Sequence, residues 1–185
     1  MSRFFKGLPR FDANMAMTIA AVIISLCALF VSFAEVRIMR SQQKASLYPY
    51  LTLGQQYDNE GFGLYLANKG IGPARINSFQ VFNSEQYFTN WVELANHYLP
   101  DSMSMGYDVL KMDNIQNTII SAGESVRLIS TRWSPTSRLL EERIRELDFV
   151  LCYSSLLEDH WRIEGFKKPV PISSACTRIE EHEMY

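Results

Sequence analysis

The chain has 185 residues, with 18 Lys and Arg against 20 Asp and Glu and a formal net charge of −2 at pH 7. Aromatic residues make up 12% of the sequence, which is enough large apolar surface to form a packed core and excludes the disordered class. Charges of both signs are mixed along the chain, whereas nucleic-acid-binding proteins carry a basic face. We therefore expect no nucleic-acid partner.

The N-terminal part contains an apolar run at residues 15–34 without charge, Pro or Gly. Because a helix rises 1.5 Å per residue, this run is about 30 Å long, which matches the hydrocarbon core of a bilayer. We predict a basic N-terminal tail at 1–14, a transmembrane helix at 15–34 and a helical juxtamembrane connector at 35–48. The lipid bilayer is thus the first expected partner.

The same segment has features of a signal peptide, since basic residues precede it and Ser32-Phe33-Ala34 fits a cleavage site. Cleavage after Ala34 would release a secreted domain. The apolar run is longer than a signal peptide needs, and the helical pattern continues towards Pro49, so we favour an uncleaved anchor. Basic residues balance on the two sides of the run, and we favour a cytoplasmic N-terminus with the domain in the periplasm.

One face of the predicted helix carries small and weakly polar residues at alternating spacings of three and four. Such a stripe lets two membrane helices approach closely and predicts self-association or a partner helix. Small residues are also common in membrane helices that make no such contact. The stripe consists of Thr18, Ala21, Ser25, Ala28 and Ser32.

Residues 49–166 consist of short strand-like runs separated by turn signals. This spacing is typical of an antiparallel β-sandwich, here with one or two short helices, and the tail at 167–185 is predicted to be loosely ordered. Strands are predicted at 51–57, 61–67, 75–82, 117–121, 125–131, 148–154 and 160–166, helices at 89–99 and 137–146, and a loop at 100–116.

The second of these helices carries charge pairs at i,i+4 spacing, which stabilise a solvated helix face. They are Glu141 with Arg145 and Arg138 with Glu142.

A glycine-rich segment follows the second predicted strand. A phosphate-binding loop would need a Lys and a following helix, and here Pro and a strand follow instead. We predict a structural turn in which Gly supplies a positive φ between two strands and Pro stiffens the chain. Its residues are Asn68, Gly70, Gly72 and Pro73.

The three cysteines divide between the apolar run, which holds Cys27, and the domain, which holds Cys152 and Cys176. The latter two would close a loop of about 25 residues if the domain lies in an oxidising compartment, and otherwise they are free thiols. Cys152 and His160 also flank a predicted hairpin, which leaves open a Cys/His nucleophile in an enzyme or small-ligand binder. No metal-ligand spacing occurs, and we expect no metal, cofactor or catalytic residues.

Three segments carry a resemblance to other proteins: LANKGIGPARI at 66–76, SAGESVRL at 121–128 and FVLCYSSLLEDHW at 149–161. With the N-terminal helix, they resemble a widespread set of uncharacterised bacterial membrane proteins that have a single helix and NKGIGPA after a β-strand. The order of strands and turns also looks like that of immunoglobulin-like modules of bacterial surface proteins. The resemblance implies a single-pass protein of the bacterial inner membrane and implies no activity.

We therefore predict a membrane-anchored, immunoglobulin-like β-sandwich that acts as a protein–protein interaction or structural module. Its expected partners are an unknown protein or a second copy bound through the membrane helix. The alternatives are the Cys152/His160 ligand binder or enzyme, and the secreted domain cleaved at Ala34.

Overall fold

The computed structural model describes residues 13–100 and 108–185. The predicted basic tail falls almost wholly outside these residues, as does part of the predicted loop at 100–116. The chain divides into two compact units, one ending at Gln43 and the other comprising Lys44–Tyr185.

The first unit is formed by helix α1, which runs Ala13–Ser46 and extends a few residues into the second unit. None of its residues is buried by protein, although its side chains are mainly apolar. Within the described residues it is the one helix that is long and apolar enough to cross a membrane. The predicted helical connector is therefore helical as far as Ser46.

The second unit is built from antiparallel strands in two sheets. The first sheet has the order β1-β2-β7-β5, and the second has the order β10-β9-β8-β3-β4 with β6 also paired to β3. The strands are β1 Leu51–Tyr57, β2 Gly61–Asn68, β3 Ala74–Phe82, β4 Tyr87–Phe88, β5 Val109–Met112, β6 Ile119–Ile120, β7 Ser125–Arg132, β8 Asp148–Ser154, β9 His160–Glu164 and β10 Val170–Ile172.

One hydrophobic core lies between the two sheets. Leu64 of β2 and Leu128 of β7 belong to the same buried cluster as Phe79 of β3 and Leu151 of β8. In β2, alternate residues are buried, as expected for a strand with one face on the core. The mainly β fold class with an N-terminal apolar helix is confirmed.

Two short helices close the core. Helix α2, Trp91–Tyr98, is capped by Asn90, whose side chain accepts a hydrogen bond from the backbone N–H of Glu93. Helix α3, Pro135–Ile144, is capped by Ser134, which forms a reciprocal capping box with Ser137. Each buries one apolar side against the sheets.

Two expectations about ordered structure are wrong. Strand β5 lies inside the predicted loop at 100–116 and pairs with β7. The tail at 167–185 is not loosely ordered, because β10 pairs with β9 and the chain end returns to the core, where Glu183 and Met184 are buried. Strand β5 is ordered by pairing with β7, β10 by pairing with the neighbouring β9, and Glu183 and Met184 by contacts with the distant β3. Local patterning does not reveal these tertiary contacts.

Candidate functional site

The predicted turn at residues 68–73, here called the connector clamp, is organised by the buried side chain of Asn68. Its amide nitrogen donates to the carbonyls of Gly72 at 2.8 Å and Ile120 at 3.0 Å. Its oxygen accepts the backbone N–H groups of Tyr50 at 3.2 Å and Gly70 at 3.0 Å. The Asn68 side chain thus uses both of its N–H donors and accepts two hydrogen bonds at its oxygen.

The connector clamp holds the residues that follow helix α1. The N–H groups of Ile71 and Gly72 both donate to the Tyr48 carbonyl, at 3.1 and 3.2 Å. The expected positive φ is wrong for this turn, because neither Gly70 nor Gly72 has one. A Cβ at Gly72 would overlap the Leu47 backbone, so glycine is required there by close approach instead. Pro73 then leads into β3. The turn residues therefore form a structural attachment for the connector.

Aromatic rings extend this attachment into the core. Tyr48 packs edge-on against Trp161 at 5.3 Å, and Trp161 stacks on Tyr153 at 5.4 Å. The Tyr153 hydroxyl accepts the N–H of Leu51 at 3.4 Å, and burial raises the pKa of this phenol well above its ordinary value. The start of β1 is thus fixed by packing and by hydrogen bonds together.

Beside the connector clamp lies an open groove of about 550 Å³. Ile71 is 67% exposed at its edge, and Lys69 provides a positive charge. Nearby, Lys44 and Asp159 form an ion pair at 2.5 Å with both side chains exposed, so solvent screening makes it worth little to stability. The groove is lined by Ala45, Tyr48, Tyr50, Lys69, Gly70 and Ile71.

At the other end of β1, four side chains form a layered group that we call the aromatic–arginine stack. The guanidinium carbon of Arg138 lies 4.8 Å from the centroid of the Trp133 ring. Trp133 stacks on Tyr57 at 6.4 Å with an interplanar angle of 17°, and Arg145 lies 6.0 Å from the Tyr57 ring. Tyr57 is 46% exposed, so the stack is accessible from solvent.

Local structure holds the aromatic–arginine stack in place. Tyr57 ends β1, and Trp133 follows β7 and donates its indole N–H to the Asp58 carbonyl at 2.8 Å. Glu141 of α3 accepts the Arg145 Nε–H at 2.6 Å and the Tyr57 hydroxyl at 2.9 Å. Burial and the hydrogen bond to Glu141 raise the pKa of Tyr57, so its phenol remains a donor.

The charge pairs predicted on α3 have different outcomes. The Glu141–Arg145 pair forms. Within the described part of the chain, Arg138 contacts the Trp133 ring and makes no ion pair with Glu142. Among the described residues, its guanidinium therefore contacts a ring rather than a carboxylate.

The structure joins Cys152 and Cys176 in a disulfide, with their Cα atoms 6.2 Å apart. Across the β8–β9 pair, Cys152 faces Arg162 and His160 faces Ser154. A disulfide sulfur is not a thiolate, so this arrangement gives no support to a Cys152/His160 nucleophile. His160 carries a buried Nδ1 without a hydrogen-bond partner among the described residues.

The chain end contains a buried polar site that the sequence patterns did not indicate. We call residues 183–185 the C-terminal plug. The Glu183 carboxylate accepts the Ser78 hydroxyl at 2.6 Å and the Phe79 N–H at 3.0 Å. The N–H of Met184 donates to the Phe79 carbonyl at 2.8 Å. The only local signal was an apolar Met184 within a charged terminus.

The stripe residues of α1 are all exposed. The hydroxyls of Thr18 and Ser25 each donate to a carbonyl one turn earlier, at 2.9 Å. Ala21, Ala28 and Ser32 lie on the same helix. Whether this stripe contacts another helix stays a prediction.

Among the described residues, no three His, Cys, Asp or Glu side chains gather into a metal-binding group. No protein-family model, curated protein or solved structure matches the chain significantly. Function is therefore inferred from geometry and chemistry.

Proposed function

We propose that this protein is a membrane-anchored, immunoglobulin-like domain that binds a protein partner through the aromatic–arginine stack. The strand orders β1-β2-β7-β5 and β9-β8-β3-β4 correspond to the A-B-E-D and G-F-C-C′ orders of immunoglobulin domains. The disulfide departs from that pattern, because it links β8 to the tail rather than joining the two sheets. The correspondence supports a scaffold whose ends are free for recognition.

The exposed stack of Arg138, Trp133, Tyr57 and Arg145 is the observation that carries this proposal. Trp, Tyr and Arg are the residues most enriched at the energetic centres of protein interfaces. Here their planar groups are already ordered by Glu141 and by the Asp58 carbonyl, which lowers the entropy lost on binding. The stack also lies at the end of β1 opposite the connector.

The anchor is proposed to be helix α1, crossing the bacterial inner membrane once with the domain in the periplasm. Its length and its lack of buried residues support membrane insertion, and the Cys152–Cys176 disulfide supports an oxidising compartment. The competing proposal is a signal sequence cleaved after Ala34, which an intact N-terminus in the mass spectrum would overturn.

The expected partner is another protein that presents a carboxylate to Arg138, whose guanidinium is unpaired by any described carboxylate. A second copy of this chain, held through the stripe from Thr18 to Ser32, is the alternative. A different protein and a second copy of this chain would give cross-linked complexes of different mass.

Site-specific photo-crosslinking in cells tests the proposal. A photoreactive amino acid at exposed Glu142, one helical turn from Arg138 on α3, should give a light-dependent adduct of one defined mass, and the same group at exposed Lys167 should not. Adding Tyr57→Ala should abolish the adduct, because the stack loses one of its two aromatic rings. An adduct with the mass of two chains would show self-association instead of a different protein partner. Equal adduct yields from the probe at the stack and the probe at Lys167 would overturn the proposed binding site.

A further inference from the structure

We propose that the edge of β3 between β6 and β4 is a peptide-acceptor site that the chain's own C-terminal plug occupies. Its ligand class is an extended peptide with a carboxylate side chain followed directly by a large apolar side chain. This inference is independent of the partner proposed above.

The backbone of β3 provides the first part of this site. On this edge, β6 pairs with Ala74 and Arg75 and β4 pairs with Val81 and Phe82, so the middle of the strand is left without a neighbouring strand. Phe79 has its N–H taken by the Glu183 carboxylate and its carbonyl by the Met184 N–H. The plug thus engages the open edge of β3 through one backbone hydrogen bond and one side-chain carboxylate, which is a partial form of β-strand addition.

The side chains around this edge provide selectivity. Ser78, the Phe79 N–H and Gln116 all donate to the Glu183 carboxylate, with Gln116 the most distant at 3.4 Å. Glu183 is fully buried, and Met184 is 2% exposed within the core cluster. A buried carboxylate needs such donors, so a peptide with Ala at that position would leave them unsatisfied.

The connection to the plug permits exchange. Between Ile172 and Glu183 the chain is mainly exposed and is fastened by Cys176 and by the ring of His182 stacked on Tyr87 at 3.7 Å. Because the segment before the plug is mainly exposed, the plug can leave the edge of β3 once these fastenings are released. Its occupancy reflects a short tether that raises its effective concentration, and an untethered peptide of the same class should compete when the tether is cut.

The experiment uses the full chain in detergent with a protease site inserted between Thr177 and Arg178. After cleavage, the fragment of residues 178–185 is no longer covalently held, because Cys176 precedes the cut. We expect it to exchange for a labelled synthetic peptide of the same sequence, measured by fluorescence anisotropy. Peptides with Glu183→Ala or Met184→Ala should bind at least about tenfold weaker, a change of about 1.4 kcal/mol. A Glu181→Ala peptide, altered at an exposed position, should bind like the parent peptide.

A second measurement covers the case in which the cut chain unfolds on losing its fragment. The uncut full chain carrying Glu183→Ala should bind the parent peptide in trans, whereas the unmodified chain should not. The acceptor site would be overturned if neither the cut chain nor the uncut Glu183→Ala chain binds the parent peptide. Equal binding of the Glu183→Ala and parent peptides would overturn the assigned ligand class.

Discussion

Gly72 lies directly against the backbone of Leu47, and a single added carbon at Gly72 would overlap the Leu47 carbonyl. This contact brings the NKGIGP turn onto the residues through which helix α1 continues into the β domain. The Tyr48 carbonyl receives two N–H groups from the same turn. The glycines of this motif therefore fix the attachment of the connector and are not available to hold a phosphate.

Gly72→Ala should destabilise the β domain by about 1 to 3 kcal/mol, because the added methyl group forces the connector away from the turn. Urea unfolding followed by tryptophan fluorescence measures this change, since Trp161 packs against Tyr48. Gly63→Ala is the matched control. Its added carbon would lie 3.1 Å from the nearest atom, so we expect a smaller loss. Equal losses would show that the close approach at Gly72 is unimportant.

Asn68→Ala should cost at least about 2 kcal/mol, because it leaves buried backbone donors and acceptors without partners. The affected groups include the Tyr50 N–H and the Ile120 carbonyl. Denaturant midpoints of the two proteins measure the difference. Asn77→Ala is the matched control, since Asn77 receives one long hydrogen bond, 3.4 Å from Ser154, and should lose less than about 0.5 kcal/mol.

Strand and helix positions were predictable where the local pattern agrees with the tertiary structure. Strand β1 has the predicted bounds of 51–57, and helix α2, Trp91–Tyr98, lies within the predicted helix at 89–99. β10 was missed because it is three residues long and contains Pro171, which weakens the local strand signal. The plug was missed because its order comes from β3, far away in the sequence. Glu183 has the charge of a solvated residue, and nothing local reveals that Ser78 and Phe79 will bury it.

The aromatic–arginine stack shows the same limit for the candidate site. The i,i+4 spacing correctly predicts Arg145 with Glu141, because Arg145 is the C-cap residue of the helix that carries Glu141 and keeps helical backbone angles. The same rule fails for Arg138, which turns to a ring contributed by the segment after β7. Tyr57 and Trp133 are separated by most of the domain's sequence, so their stacking depends on the sheet topology.

Thiol labelling should show one reactive cysteine in the unreduced, denatured protein and three after reduction. Cys27 is the free cysteine, and Cys152 and Cys176 are disulfide-bonded. Maleimide–polyethylene glycol labelling of protein taken from the membrane and resolved on a gel counts them. In a Cys27→Ser variant, we expect no reactive thiol before reduction and two after it. Three reactive thiols without reduction would place the domain in a reducing compartment.

Loss of this disulfide in a Cys152→Ser, Cys176→Ser variant should lower the free energy of unfolding by about 3 kcal/mol in the chain-entropy model. The bond spans a sequence separation of 24 and fastens the segment that leads to the plug. Urea unfolding of the parent and the variant, both without reductant, measures this loss. Treating the parent with reductant should reproduce it, and a variant as stable as the oxidised parent would contradict the expectation.

Stability at alkaline pH should depend on Tyr153. Burial raises the pKa of its phenol above the ordinary tyrosine value of about 10, so above about pH 10 the unfolded chain releases this proton while the folded chain retains it. The contribution is fully present below pH 10 and is lost as the pH rises, with a limiting slope of about 1.4 kcal/mol per pH unit. Tyr153→Phe removes the ionisable group and should flatten the fall in stability between about pH 10 and 11.5, measured by urea unfolding at each pH. The difference in stability between the parent and the variant should stay constant from about pH 7 to 9, because the phenol is protonated in both states there. Parallel curves above pH 10 would mean that the phenol ionises as readily in the folded protein as in the unfolded chain, and that the packing of Trp161 over Tyr153 does not exclude solvent from it.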